Sequence, residues 1–146
     1  MTQNTENSVR LTRTLQAPRE DVWRMWTDPA EFSAWYGPAG ATVEVTRWDL
    51  HPGGGRHVSM GVETPGGPMT MHFTGEFVEV TEPERLVYTE AMADQAHPET
   101  RVEVEFREDG GRTTLELTHH GIPAGSPGEA GWAAALDHLA TRVPSA

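Results

Sequence analysis

The sequence predicts an α+β fold: a curved antiparallel sheet of about seven strands, two short helices after the first strand, and a long C-terminal helix over the sheet. Three observations carry this reading. Gly131 to Ala140 sets its large apolar residues, Trp132, Leu136 and Leu139, at the i, i+4, i+7 spacing of one buried helical stripe. Nearly everything from Ala41 to His120 alternates apolar and polar residues with period two. Short Gly/Pro turns join those segments, so a meander is the simplest pairing, with the first strand returning to a sheet edge. Small residues beside Trp132 (Gly128, Gly131 and Ala135) suggest a sheet that grips the helix and leaves space beneath it. That space is where function is expected.

The elements follow in order. Val9 to Leu15 alternates with Val9, Leu11 and Leu15 inward. Ala17-Pro18 ends that strand, and Pro18 suits the first turn of a helix through Trp26, with Val22 and Trp26 on one face. Thr27-Asp28-Pro29 breaks it, a second short helix covers Ala30 to Ala34, and Trp35-Tyr36-Gly37-Pro38 closes the helical segment. Strands are predicted over Thr42 to Leu50, Arg56 to Val62, Met69 to Val80 and Arg85 to Met92, with turns at His51 to Gly55 and Thr64 to Pro68 and a loop over Ala93 to Pro98. Val102 to Phe106 and Thr113 to His119 form a hairpin around Asp109-Gly110-Gly111. Residues 1–8 read as a solvated tail and 9–146 as one domain.

Composition narrows the function classes. The chain has no cysteine, which removes disulfides and thiolate metal sites and suits a reducing cytoplasm. No apolar run approaches the ~20 residues of a membrane span, and the start lacks the pattern of a signal peptide. Acids outnumber bases 22 to 11, for a net charge of −11, and every base is Arg. Phosphate-rich partners, nucleic acid and anionic membranes, are thereby disfavoured. No histidine pairs with another at the spacing of a zinc hydrolase, and His119-His120 point to opposite strand faces, so no metal ligands are assigned. With neither Cys nor Gly-x-Ser-x-Gly, nucleophilic catalysis has no support, and Gly53 to Gly55 is a turn between strands, not a phosphate cradle. No catalytic residue and no cofactor is assigned.

The candidate ligand-binding residues are Trp26, Trp35, Tyr36, Arg47, Asp49, Met60, Met71, Phe73, Tyr88 and His119. Strict alternation from Val43 and Val45 carries Arg47 and Asp49 inward as a polar anchor; a bulge near Trp48 would instead turn Trp48 and Leu50 in. Asp49 also suits a cap on the turn at Pro52. Met60, Met71, Phe73 and Tyr88, in mid-sheet strands, are either cavity lining or core, because Met and aromatic side chains fill irregular spaces. Trp35 and Tyr36 fall where a cavity mouth is expected. Phe77, Phe106 and Trp132 read as core. His119 continues the inward series Leu115 and Leu117, as a general base or hydrogen-bond donor, or as a core-edge histidine already satisfied.

Several phrases, in this order and spacing, resemble the SRPBCC (START-like, Bet v-like) superfamily, and within it the homologues of the activator of the heat-shock-protein-90 ATPase. They are Ala17-Pro18 with Val22 and Trp23, Thr27-Asp28-Pro29, Trp35 to Pro38, Asp49 to Gly54, Gly75 with Pro83 to Leu86, Thr113 to Gly121, and Gly131-Trp132 with Leu136 to Leu139. The resemblance runs from about Val9 to Val143 and implies a helix-grip fold with an internal cavity. It implies a small hydrophobic or amphipathic ligand, or a chaperone partner in stress response. Some superfamily members resemble cyclases or dehydratases of polyketide-like aromatics, with pocket Arg, Asp or His as acid and base. The Asn/Trp/His-rich motif of the co-chaperone has no counterpart in Met1 to Ser8. Open sheet edges permit a homodimer without specifying one.

Overall fold

The computed structural model describes residues 8–36, 40–92, 99–122 and 125–142. The elements are β1 (Ser8–Leu15), α1 (Arg19–Thr27), α2 (Pro29–Trp35), β2 (Thr42–Trp48), β3 (Gly55–Thr64), β4 (Gly67–Thr81), β5 (Arg85–Met92), β6 (Thr100–Asp109), β7 (Arg112–His120) and α3 (Pro127–Arg142). The strands make one antiparallel sheet in the order β1-β7-β6-β5-β4-β3-β2, so the meander and the return of β1 to an edge are as expected. Ser8, assigned to the tail, pairs with His120 and belongs to β1. The rest of that tail, Gly37-Pro38, the Ala93 to Pro98 loop and the last four residues lie outside the described residues.

Local chemistry explains each boundary. Asp28 serves two helices: its N–H donates to Arg24 O at the end of α1, and its carboxylate accepts from Ala30 N and Glu31 N at the start of α2. Pro29 occupies the first turn of α2, where a missing N–H costs nothing. The β6–β7 hairpin closes on Gly110-Gly111, both at positive φ (63° and 81°), the pair that a two-residue turn matched to strand twist requires. On α3, Trp132, Ala135, Leu136 and Leu139 form the buried stripe.

The concave face of the sheet is unevenly covered. Over β5, β6 and β7, Leu86, Val102, Val104, Phe106, Leu115 and Leu117 are sealed beneath the helices. Over β2, β3 and β4, the rows Val43–Met60–Met71 and Val45–Val58–Phe73 run across the strands. There Val43, Val45, Met71 and Phe73 stay only half-buried. The outer face carries an ionic ladder in which Arg85 contacts Glu79, Glu103 and Glu105, and Arg107 contacts Glu105 and Glu116. Glu103 and Glu105 thus face outward, on the parity opposite to buried Val102, Val104 and Phe106. Such exposed pairs contribute little singly and act mainly as a solvated surface.

At Gly75 the backbone of β5 comes close to β4. A Cβ there would lie 1.9 Å from the Thr89 carbonyl oxygen and 2.6 Å from its carbon, both backbone atoms of the neighbouring strand. Replacing Gly75 with Ala therefore has to part β4 from β5. Equilibrium urea unfolding should show a loss on the order of 3 kcal/mol, as for overpacked cores. A loss near zero would mean that the two strands can part here without cost.

Candidate functional site

Alternation along β3 puts Arg56 on the same face as Val58 and Met60, and alternation along β5 puts Glu90 beside Tyr88 and Leu86. Both charged residues therefore point into the concave side. Arg56 stands opposite Trp48 on β2 and opposite Gly75 on β4. The β4–β5 register, which sets Thr74 against Ala91 and Phe77 against Tyr88, continues with Glu90 opposite Gly75. Gly75, lacking a side chain, lets the β5 backbone close on β4 between the two charged residues. The Arg56 side chain is wholly shielded from solvent and its Nη1 lies 3.6 Å from Glu90 Oε2.

Aromatic rings surround the guanidinium. Its central carbon is 4.0 Å from the Tyr88 ring centroid, 5.4 Å from Trp48, 5.6 Å from Phe32 and 6.0 Å from Phe77. Arg tolerates such a cage because its planar, weakly hydrated cation stacks on π-faces. Its edges are a different matter. Among the described residues, Nε, Nη1 and Nη2 have no hydrogen-bond partner, and neither does the buried Tyr88 hydroxyl. The 3.6 Å approach of Glu90 is an ionic contact too long for a hydrogen bond. Tyr36, at the C-terminal end of α2, completes the centre by donating its hydroxyl to Glu90 Oε2 at 3.3 Å.

The electrostatics follow from burial. Burial pushes the Glu90 carboxyl above its ordinary range, although Arg56 and the Tyr36 hydrogen bond pull the other way. The Tyr36 phenol is raised by burial first and by Glu90 second, and stays a donor. Tyr88 is raised chiefly by burial against the opposing effect of Arg56. Desolvating each ion costs several kcal/mol, and each unmet buried donor about 1–3 kcal/mol. This centre is hence a destabilising feature held in place by the fold around it.

The predicted site residues divide. Tyr36 and Tyr88 belong to the centre, with Phe73 beside Tyr36 at 6.4 Å and Met60 and Met71 one row further along the sheet. Trp26 and Trp35 are fully buried in an aromatic stack, with centroids 4.7 Å apart, and Trp35 donates its indole N–H to Met25 O. Trp132 of α3 stacks on Trp26 at 5.9 Å and meets Tyr36 at 5.6 Å. Arg47 and Asp49 do not join them. A bulge shifts the register between Val45 and Arg47, turning Trp48 and Leu50 toward the core and correcting the inward placement of the two charges. Outside, Arg47 Nε bonds Asp49 Oδ2 at 2.8 Å with both side chains exposed, which lowers the Asp49 pKa mainly through that hydrogen bond.

His119 is buried and satisfied, through side chains and not the backbone. Its Nδ1 accepts the Trp132 indole N–H at 2.9 Å, so the ring proton sits on Nε2, 2.8 Å from Thr100 Oγ1. Thr100 in turn donates to Glu90 O at 2.8 Å. Burial, with a smaller push from His120, lowers the imidazole to about 4. With Asp49 outside and both His119 nitrogens engaged, the acid–base roles considered for them have no place. Arg56 and Glu90 were absent from the predicted set, although the parity that turned Val58 and Tyr88 inward includes them.

Among the described residues no group of three or more potential metal ligands occurs, and no helix is long and apolar enough to cross a membrane. A shallow depression of about 520 Å³ between Pro18, Arg19, Glu20, Pro83 and Glu108 includes no member of the polar centre.

A sheet bent around a C-terminal helix, with a buried polar centre on its concave side, defines a helix-grip domain of the SRPBCC superfamily. The chain belongs to the family described as activator of Hsp90 ATPase homolog 1-like protein, which matches residues 16–143. Among solved structures it is similar to protein CV1439 from Chromobacterium violaceum, with 28% identity, a TM-score of 0.83, and 94% of this chain and 96% of that one covered. It shares the fold of the AHSA1 protein from Silicibacter pomeroyi, at 23% identity and a TM-score of 0.76 over 92% and 95% of the two chains. It also shares the fold of protein Ms6760 from Mycobacterium smegmatis, at 19% identity and a TM-score of 0.79 over 99% and 94%. A comparison with curated proteins finds no match.

Two stability predictions follow from these contacts. Glu90→Leu should cost about 3–5 kcal/mol in urea unfolding because it strands the Arg56 charge, whereas the double change Arg56→Met with Glu90→Leu should be near neutral or stabilising. If the double variant is as unstable as the single one, the pair serves the fold itself. For His119 the folded pKa lies below the unfolded value of about 6.5. Its neutral form contributes fully above that pH, and about 3 kcal/mol should be lost as pH falls from about 6.5 toward 4. Urea unfolding across that range should give a shallower acid limb for His119→Gln than for the unaltered protein; parallel limbs would contradict the assignment.

Proposed function

We propose that this protein binds a small hydrophobic or amphipathic molecule between the sheet and the C-terminal helix. The observation that carries the reading is the Arg56 side chain, fully shielded yet without a hydrogen-bond partner among the described residues, beside a half-covered apolar surface. Proteins retain costly buried polar groups where function uses them. The apolar body of the ligand lies along Met60, Met71 and Phe73 toward Trp132, and its polar end reaches the centre of Arg56, Glu90, Tyr36 and Tyr88. Flexible Met side chains beside a few fixed polar groups suit a site that sorts ligands by one headgroup and tolerates varied bodies. The protein is read as a carrier or sensor with no chemistry assigned.

The family description supports a second reading, contact with a chaperone ATPase. An unchanged ATPase rate when the purified protein is added to that chaperone would end it.

The binding reading is tested with N-phenyl-1-naphthylamine, a neutral probe that brightens in apolar surroundings. The purified protein should bind it saturably, and Met71→Trp, which fills the apolar row, should lower uptake at least tenfold with the circular dichroism spectrum unchanged. Equal uptake by the folded variant would move the ligand elsewhere, and no uptake by the unaltered protein would sink the proposal.

A further inference from the structure

The polar centre has a lopsided hydrogen-bond inventory. Arg56 brings five N–H donors and no acceptor, and the Tyr88 hydroxyl is a further donor without a partner among the described residues. Against them stands one carboxylate, Glu90, whose Oε2 already takes the Tyr36 hydroxyl and lies 3.6 Å from Arg56 Nη1. A molecule that completes this centre has to bring acceptors. An oxyanion such as a carboxylate or a sulfonate offers two oxygens to the guanidinium edge in parallel, the arrangement that distinguishes Arg from Lys as a binder.

Such an anion introduces a charge conflict. Arg56 and Glu90 together are neutral, and a second negative group on the guanidinium edge would sit within a few ångströms of the Glu90 carboxylate inside a dry aromatic shell. Two carboxylate-like groups sharing such a site do not both remain ionised. We propose, resting on the ligand-binding reading above, that the centre takes the oxyanion headgroup of an amphipathic aromatic or aliphatic acid on Arg56, and that Glu90 takes up one proton as the anion enters. No covalent bond changes: a proton from solvent adds to the Glu90 carboxylate, and the anion replaces it as the counterion of Arg56.

The surroundings allow this exchange. Around Glu90, β3 presents Arg56, α2 ends in Tyr36, β5 itself adds Tyr88, and β6 adds Thr100, whose hydroxyl donates to the Glu90 backbone. β7 reaches the same place only through His119, whose Nε2–H is held by Thr100 and which is neutral above about pH 4. β4 offers Phe73 and Phe77, and α3 offers Trp132, none of which ionises. Glu90 is therefore the group at this centre that is free to change charge when an anion enters. Burial already holds its carboxyl above the usual range, so the proton is taken readily.

The experiment compares 1-anilinonaphthalene-8-sulfonate, whose sulfonate never titrates in this range, with neutral N-phenyl-1-naphthylamine, which shares the aromatic body. With near-ultraviolet circular dichroism confirming the fold across the pH series, affinity for the sulfonate should fall as pH rises, by up to tenfold per unit wherever Glu90 is ionised in the free protein and protonated in the complex. Affinity for the neutral probe should stay flat. Calorimetry in two buffers of different ionisation heat should show about one proton taken up per sulfonate bound, and none in Glu90→Gln, whose sulfonate affinity becomes independent of pH. Arg56→Met should lose at least tenfold in sulfonate affinity and keep the neutral probe. If that variant does not fold, the proton count in Glu90→Gln still decides. Sulfonate binding without proton uptake, or equally tight in folded Arg56→Met, overturns the inference and leaves the binding reading intact; failure of both probes overturns both.

Discussion

One guanidinium organises the interior of this protein. Arg56 lies where β3 alternation must put it, on the concave face, and the fold then has to house a cation away from water. It does so with rings brought from four other elements: Phe32 from α2, Trp48 from β2, Phe77 from β4 and Tyr88 from β5. Trp48 also donates its indole N–H to Thr27 O at 2.8 Å, tying the sheet edge to the end of α1. Phe32 of α2 and Trp48 of the β2 edge, whose elements pack against each other, thus meet at one charge. Cation–π attraction of roughly 0.5–2 kcal/mol per ring offsets part of the desolvation cost and none of the unmet hydrogen bonds. What remains is a polar centre that the surrounding packing stabilises and that does not stabilise the packing in return.

The two halves of the concave face divide the labour. Over β5 to β7 the face is fully covered, and α1 and α3 press on β6, β7 and β1 there. That half supplies the transfer free energy that any domain of this size needs. Over β2 to β4 the flanking members of the apolar rows, Val43, Val45, Met71 and Phe73, are only half-buried, Val58 and Met60 between them are buried, and the polar centre lies beside them. His119 stands at the junction, with its nitrogens bonded to Trp132 on α3 and Thr100 on β6. Through it the C-terminal helix is fixed to the sheet by a directional contact and not by apolar packing alone. A helix so anchored holds its position beside a surface that is incompletely filled.

Much of this was legible in the residues. Period-two alternation, Gly/Pro turns and one helical stripe gave the seven strands, their order and the closing helix, because each is a local pattern with a local cause. The candidate site was less legible, for two physical reasons. The facing of Arg47 and Asp49 stayed open between strict alternation and a bulge, because nothing in Thr46 or Arg47 decides between them; the structure has the bulge, which reverses the side chains after it and removes both from the candidate site. Arg56 and Glu90 were overlooked for the opposite reason. Their parity puts them on the face of Val58 and Tyr88, but only the register across Gly75 brings the two together, and no local pattern encodes that register. The Trp132–His119 bond joins a helix to a strand across a turn whose path no periodicity encodes.

Charge at the surface and charge at the centre oppose each other. The chain carries −11 overall, spread over loops and the outer strand ladder, so its long-range field repels anions. Screening confines that repulsion to about 8 Å at physiological ionic strength. The buried guanidinium lies behind aromatic walls, where the effective dielectric is low and a short-range contact is correspondingly strong. On the proposed reading, a negatively charged ligand gains nothing on approach and everything on arrival. Selection would then rest on fit to the edge of Arg56, which suits an acceptor group on an apolar body and not the polyanions, nucleic acids and phosphorylated metabolites, that the surface already turns away.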